Sequence, residues 1–174
     1  MITSDEALML EFQRGSRAAF DELFARYRQP LYGYFRRRLA EAERAEDLTQ
    51  ETFLAVLRAT ERYQPRALVR TYLYGIAIKL VSAERRKLAR VEAATDPALD
   101  SRTEESLWVR QALERLEPVE REILMLREYE QLSYTEIAGL LRLPLNTVRT
   151  RLFRSRMALK DFLEPAGSEA KREA

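Results

Sequence analysis

The chain has 174 residues, 46% of them hydrophobic and 33% charged, with five glycines and neither cysteine nor histidine. These absences exclude disulfides, thiolate nucleophiles, the usual zinc ligands and the commonest general base, and the few glycines argue against a β-sandwich or barrel. The longest uncharged stretch, around Thr71 to Ile78, is far shorter than the roughly 20 residues of a membrane span, and Asp5 and Glu6 do not fit a signal peptide. We therefore expect a helical, cytoplasmic protein with no membrane insertion.

The net charge of +2 hides an uneven distribution of charge along the chain. Residues 70–90 contain six basic side chains and one acidic side chain, and residues 132–160 contain the same numbers. Residues 41–51 contain five acidic side chains and one basic side chain. Two basic regions and one acidic region suggest a polyanion that is contacted twice and a different partner that is contacted once.

Apolar residues recur at helical spacing along most of the chain, and no strand alternation competes with them. The predicted helical segments are Ala7–Phe12, Phe20–Leu39, Leu48–Leu57, Leu68–Leu88, Leu107–Leu116, Val119–Leu126, Ile137–Leu141 and Leu145–Leu163. The stretch "ARVEAATDPALDS", residues 89–101, lacks this periodicity and predicts a linker. We predict an all-α protein of two small helical domains, residues 1–90 and 104–163, joined by a flexible linker at 91–103 and followed by a disordered tail at 164–174.

The segment "AEDLTQETFLAVL" predicts a helix with an acidic face formed by Asp47, Gln50 and Glu51. Apolar side chains cover much of the rest of this helix, namely Leu48, Phe53, Val56 and Leu57. The acidic face has two interpretations: acidic residues favoured by the positive end of the helix dipole, or a surface on which a partner docks. The segment alone does not choose between them.

The segment "RTYLYGIAIKLVSAERRK" predicts a helix with a cationic strip. Leu73, Ile76, Ala77 and Leu80 cluster as its predicted core. The cationic strip lies on another face and consists of Tyr72, Gly75, Lys79, Ser82 and Arg86. Single-stranded nucleic acid suits this combination, because bases stack on aromatic rings and the backbone needs close, cationic approach. A tyrosine with a purely structural role is the alternative.

The segment "SYTEIAGLLRLPLNTVRTRLFRSRMALK" predicts a helix-turn-helix. Ser133 with Glu136 fits a capping box at the start of the first helix, as Ser101 with Glu104 does further upstream, and Pro118 fits a first helical turn. The turn spans Arg142 to Pro144, with Arg142 at a position where glycine is usual. A left-handed conformation there costs an L-residue about 1 kcal/mol.

The second helix of this motif has two opposite faces at about 100° per residue. Its predicted buried side consists of Val148, Leu152, Ser155 and Leu159. The opposite side, here called the reading face, consists of Arg149, Thr150, Phe153 and Arg154. Arginine forks suit guanine O6 and N7, and threonine and phenylalanine suit thymine methyl groups, so the reading face is typical of major-groove recognition. Thr147, Arg151, Arg156 and Lys160 are predicted to contact phosphates.

These motifs and their order resemble the bacterial sigma factors of the extracytoplasmic-function group, over about Ala7 to Leu163. The resemblance implies two helical domains that bind core RNA polymerase and two elements of promoter DNA. It also implies an anti-sigma factor as a further partner and no cofactor or metal. The chain departs from the pattern of the group at Val69, Tyr72, Gly75 and Lys79.

The resemblance also implies roles for individual residues. Asp47, Gln50 and Glu51 would contact the clamp helices of polymerase, and the reading face would contact the minus-thirty-five element. The segment Arg62 to Val69 would capture a flipped base of the minus-ten element. The side chains expected at that element are Arg62, Tyr63, Arg66, Val69, Thr71, Tyr72, Lys79 and Arg86.

Three other functions fit parts of the same sequence. A transcriptional regulator that never joins polymerase would use the helix-turn-helix but leave the acidic face and the cationic strip without a role. A sigma-like decoy that binds an inhibitor would not need the reading face. An enzyme is the weakest alternative, because the sequence shows no oriented nucleophile, phosphate-binding loop or metal-spaced cluster.

Overall fold

The computed structural model describes residues 3–64, 68–92 and 104–163, and the regular secondary structure within these ranges is helical. The elements are α1 (Asp5–Gln13), α2 (Arg17–Arg36), α3 (Ala42–Ala59), a 3-10 turn (Thr60–Arg62), α4 (Val69–Glu92), α5 (Glu104–Glu114), α6 (Pro118–Glu128), α7 (Tyr134–Leu141) and α8 (Leu145–Leu163). The chain divides into two compact units, Met1–Leu99 and Asp100–Ala174. The predicted all-α, two-domain class is therefore confirmed.

The predicted limits of the linker and tail fall largely outside the described residues. Helix α4 continues to Glu92, so the predicted linker begins within a helix. Residues 93–103, the tail at 164–174 and the first residue of the Ser101 capping box are not described. The linker and tail therefore stay predictions.

The first unit packs α1 to α4 around a core in which aromatic residues are prominent. Tyr34 and Phe35 of α2 are fully buried, and the Tyr34 ring meets the ring of Tyr74 from α4 edge-on at 5.5 Å between centroids. A second group of rings joins α2 to α3, where the centroids of Phe24 and Phe53 lie 4.7 Å apart. Serines begin α1 and α2, since Ser4 and Ser16 each accept a hydrogen bond from an amide in the first turn.

The buried side of α4 is rotated from the predicted one. Leu73 and Ala77 are buried as predicted, but Ile76 and Leu80 are only half-buried. Their places are taken by Tyr74 and Val81, because α4 packs against three helices and buries a wider sector than the apolar pattern alone shows. At about 100° per residue, the centre of this buried sector lies almost directly opposite the cationic strip.

A partly buried ion pair joins α3 to α4. Arg44 donates from Nη2 to Oε2 of Glu84 at 2.7 Å, and the Glu84 side chain is only 8% exposed. The hydrogen bond from Arg44 holds the pKa of Glu84 below its ordinary value. Glu84 is the one acidic residue within 70–90, so the pair turns its charge away from the cationic strip.

The second unit packs α5 to α8 around Ile123, Leu126, Leu132 and Ile137. The predicted capping box at the start of α7 is confirmed: the Ser133 amide donates to Glu136 Oε2 at 2.8 Å, and the Glu136 amide donates to Ser133 Oγ at 3.2 Å. Pro118 begins α6, as predicted. Two loops need a left-handed residue, Gln131 at φ 55° before α7 and Arg142 at φ 54° after it.

Replacing Glu84 with Gln should destabilise the first unit. The variant keeps the size of the side chain but loses the charged acceptor for Arg44, which we expect to lower the free energy of unfolding by about 1.5–3 kcal/mol at neutral pH. Because the pKa of Glu84 is lowered in the folded chain, its stabilisation is complete above the ordinary carboxyl value and is lost as pH falls through the folded value. Urea unfolding at a series of pH values, followed by circular dichroism, measures the difference.

Glu43→Gln is the matched control, since Glu43 is exposed on α3. The difference between wild type and Glu84→Gln should shrink on acidification, whereas Glu43→Gln should stay close to wild type throughout. A Glu84→Gln difference of the same size at neutral and acidic pH would contradict the assignment.

Candidate nucleic-acid interface

The reading face is exposed, and the side of α8 opposite to it is buried. Phe153 is 66% exposed, and Arg149, Thr150 and Arg154 are exposed beside it. On the other side, Val148 and Leu152 are buried as predicted. The hydrophobic effect therefore does not account for Phe153, whose ring is left on a cationic surface.

The helix-turn-helix fixes the direction in which α8 leaves the core. Arg142 takes the predicted left-handed conformation, and the next amide, that of Leu143, donates to the carbonyl of Ala138 at 3.0 Å. Ser155 is fully buried, and its hydroxyl donates to the carbonyl of Arg151 at 2.8 Å. A small, satisfied polar residue at this position lets α8 pack closely against the other helices of its unit.

The arginines of α8 differ in how their charge is used. Among the described residues, no carboxylate lies within ion-pair distance of Arg149 or Arg154. Arg156 instead donates from Nη2 and Nε to Oε1 of Glu128, at 2.6 and 3.1 Å. The hydrogen bonding to Glu128 raises the pKa of Arg156, and the Glu128 carboxylate offsets its charge. Arg156 would therefore have to leave Glu128 to contact a phosphate.

The remaining predicted phosphate contacts differ in exposure. Lys160 is exposed, whereas Thr147 and Arg151 are half-buried at the sides of α8. Thr150 of the reading face donates its hydroxyl to the carbonyl of Asn146 at 2.9 Å. The methyl group and the lone pairs of Thr150 thus remain for any ligand, while its proton is used within the helix.

The cationic strip is formed as the sequence predicts. Lys79, Ser82 and Arg86 are exposed, while Thr71, Tyr72 and Gly75 are half-buried at the start of α4. The Tyr72 ring meets the ring of Tyr63 edge-on, with centroids 5.4 Å apart. One side of Tyr72 is therefore supported by the protein.

The structure corrects two predicted contacts in the segment before α4. Val69 is fully buried as the first residue of α4, and its amide donates to Glu6 Oε1 at 3.1 Å, so its side chain cannot contact a base. Tyr63 is only 8% exposed because its ring packs inward against Tyr72. The predicted contacts of the Arg62 side chain and of Arg66 lie outside the described residues.

The acidic face of α3 continues into apolar surface. Asp47 and Gln50 are exposed and Glu51 is half-buried, and Leu54, on the same side of the helix, is 46% exposed. Leu57, one of the apolar residues that cover the rest of the helix, is also 44% exposed. Leu54 was not predicted, although its spacing of three and four residues from Glu51 and Gln50 was a usable signal.

The charge of the acidic face is partly neutralised from within α3. Arg44 Nη1 lies 3.5 Å from Asp47 Oδ2 and 3.4 Å from Glu51 Oε1. A groove with a cavity of about 340 Å³ lies between α2 and α3, next to Gln50 and lined by Phe24 and Tyr32. Within the described ranges, no cluster of side chains is arranged to hold a metal ion, and none of the described helices is long and apolar enough to cross a membrane.

Releasing Arg156 should strengthen duplex DNA binding. Glu128→Gln removes the carboxylate that holds Arg156, and a freed arginine near a phosphate steepens the dependence of log affinity on log salt by about 0.9. Fluorescence anisotropy on labelled duplex DNA at several salt concentrations measures this slope. The double variant Glu128→Gln with Arg156→Ala is the control, and an equal gain in both variants would show that the effect comes from net charge alone.

Two family models match the chain. The model for sigma-70 region 2 matches residues 23–91, and the model for sigma-70 region 4 matches residues 106–159. The first range contains the acidic face and the cationic strip, and the second contains the reading face. Each predicted surface therefore falls within a matched region.

Named proteins are similar over nearly the whole chain. The RNA polymerase sigma-H factor of Pseudomonas aeruginosa is 33% identical over 189 residues, covering 95% of this chain and 97% of that protein. The ECF RNA polymerase sigma factor SigE of Mycolicibacterium smegmatis is 33% identical over 186 residues, covering 99% of this chain and 69% of that protein. The solved structure of CnrH in complex with the cytosolic domain of CnrY has a TM-score of 0.72 and 25% identity, covering 92% of this chain and 97% of CnrH.

Proposed function

Because the chain belongs to the sigma-70 family, in its extracytoplasmic-function group, and directs core RNA polymerase to promoters, we propose that its two units divide promoter recognition between them. The second unit reads the minus-thirty-five element, and the first unit binds polymerase and opens the minus-ten element. The observation that carries this proposal is the exposed Phe153 on the face of α8 opposite its core, between Arg149 and Arg154, neither of which pairs with a carboxylate in the part of the chain that the structure describes.

At the minus-thirty-five element, α8 enters the major groove with the reading face toward the bases. Arg149 and Arg154 present guanidinium forks to guanine O6 and N7, while Phe153 and the Thr150 methyl pack against thymine methyl groups. Thr147, Arg151 and Lys160 hold the register through phosphates, and Arg156 joins them once it leaves Glu128.

At the minus-ten element, the cationic strip holds the separated non-template strand. Opening costs a few kcal/mol for each base that leaves the stack. Stacking of a base on Tyr72 returns about 1–3 kcal/mol, and Lys79 and Arg86 attract the backbone. Thr71 lies at the start of the strip, while Arg62 and Arg66 remain proposed contacts of the segment that leads into α4. No bond is made or broken by the protein in this scheme, and we include no cofactor.

Polymerase docks on the acidic face together with Leu54. Asp47, Gln50 and Glu51 supply polar contacts around an exposed leucine, the mixture that a protein interface uses. A regulator that never joins polymerase would leave this surface without a role. The similarity to sigma factors over the whole chain therefore favours docking on polymerase. A protein that docks on polymerase acts in the cytoplasm, and this location is part of the proposal.

An inhibitory protein partner is part of the proposal. The structure of CnrH was solved with the cytosolic domain of CnrY bound, and the similarity to that structure covers 92% of this chain. An anti-sigma factor that covered the acidic face and Leu54 would compete directly with polymerase.

Arg154→Ala tests sequence reading. Loss of a bidentate base contact should cost about 1–3 kcal/mol and relax preference at one base pair of the minus-thirty-five element. Lys160→Ala is the comparison, since loss of a phosphate contact weakens binding to all sequences alike and lowers the salt slope by about 1. Competition binding with single-substituted promoter duplexes separates the two patterns, and a uniform loss for Arg154→Ala would reassign it to phosphate.

Leu54→Ala tests the docking surface. Truncation of a central apolar contact should weaken binding to core polymerase by about tenfold, since such residues contribute more than 1 kcal/mol. Leu88→Ala is the matched control, because Leu88 is also an exposed leucine of the first unit, at 42% against 46%. Binding is measured by displacement of labelled wild-type protein from core polymerase. Equal affinity of both variants and wild type would remove Leu54 from the interface.

A further inference from the structure

Helix α1 contacts both ends of the segment that separates α3 from α4. At the first end, Gln13 Nε2 donates to the carbonyls of Thr60 and Tyr63, at 2.6 and 2.8 Å. At the other end, Glu6 Oε1 accepts from the amide of Val69 at 3.1 Å. Glu6 and Gln13 are seven residues apart, two helical turns, and so lie on one face of α1.

Each contact adds a hydrogen bond to backbone groups at a helix end. Thr60 and Tyr63 follow the end of α3, and the Thr60 carbonyl, which already accepts from the Tyr63 amide at 3.1 Å, gains a second donor from Gln13. Val69 is the first residue of α4, where amides are unpaired and the helix dipole is positive. A carboxylate at the start of α4 and an amide donor after α3 are the groups that these two ends need.

Helix α1 is itself held firmly in the first unit. Asp5 pairs with Arg26 of α2 at 2.7 Å and accepts a hydrogen bond from the hydroxyl of Tyr27. Leu8 and Met9 are buried against the core. Helix α1 is therefore fixed against α2, and its hydrogen bonds hold both ends of the segment in place.

The same contacts support the ring of Tyr72, the first residue of the cationic strip. Tyr63, whose carbonyl binds Gln13, packs edge-on against Tyr72. Its hydroxyl is buried and has no hydrogen-bond partner among the described residues, so packing and not hydrogen bonding holds the Tyr63 side chain. Burial and the nearby charge of Glu6 raise the pKa of Tyr63, in keeping with a ring enclosed beside α1.

We infer that Glu6 and Gln13 are positioning residues for opening of the minus-ten element. This inference rests on the proposed function of the cationic strip. By fixing Thr60, Tyr63 and Val69 before DNA arrives, α1 holds the Tyr63 ring against Tyr72, so that these residues lose less conformational entropy when a base is captured on Tyr72. Neither residue touches DNA; both act through the backbone and through the contact of Tyr63 with Tyr72.

The test compares strand opening on two templates. Core polymerase with wild type, Gln13→Ala or Glu6→Ala is bound to a promoter recovered by run-off transcription, either as full duplex or with the minus-ten element already unpaired. Permanganate reactivity of minus-ten thymines measures opening. Loss of these hydrogen bonds should reduce opening of the duplex and binding to the unpaired template by about tenfold, because a base is captured from both, and leave affinity for core polymerase close to wild type.

Conservative variants and a matched control sharpen the result. Glu6→Gln keeps an oxygen that accepts from the Val69 amide and should restore much of the opening, whereas Gln13→Glu places a carboxylate against two carbonyls and should not. Glu11→Ala is the control, since Glu11 is exposed on α1.

Three outcomes overturn the inference, and one of them also overturns its premise. Opening equal to wild type in Gln13→Ala and Glu6→Ala would show that α1 does not position the segment. Equal losses of core polymerase affinity and of opening, with a lowered melting temperature, would assign both residues to stability alone. Failure of wild type to open any promoter with polymerase would remove the proposed function itself.

Discussion

The ion pair between Arg44 and Glu84 connects the two working surfaces of the first unit. Arg44 lies on α3 beside Asp47 and Glu51, and Glu84 lies on α4, whose opposite side is the cationic strip. The pair draws the one acidic side chain within 70–90 into the interior, so that the exposed charge of this part of α4 is positive. The proposed polymerase-binding surface on α3 and the proposed strand-binding surface on α4 are thus joined by a short, charged contact.

The second unit separates stability from recognition by using opposite faces of one helix. Val148, Leu152 and Ser155 attach α8 to its unit, and the reading face takes no part in that packing. Under the proposed function, substitutions on the reading face change promoter preference at little cost in folding. Arg156, a proposed phosphate contact outside the reading face, is used within the unit, since it pairs with Glu128 of α6.

Local patterns in the sequence were sufficient for much of this account. The capping box at Ser133, the left-handed Arg142 and the exposed Phe153 each depend on residues close in sequence, and each is present. The pattern failed where burial depends on distant helices, as for Ile76 and Leu80 of α4, which are only half-buried. The base contact that the resemblance implied for Val69 is excluded by the burial of its side chain. Likewise, the bonds from Gln13 to Thr60 and from Glu6 to Val69 span 47 and 63 residues, and no local signal indicates them.

Run-off transcription with purified core RNA polymerase on a pool of genomic promoters tests the central claim most directly. The account predicts that core polymerase with this protein starts RNA synthesis at a limited set of promoters that share two elements. Exchanging the bases opposite the reading face or the cationic strip should abolish that activity. RNA synthesis no greater than that of core polymerase alone, on every template of the pool, would contradict it.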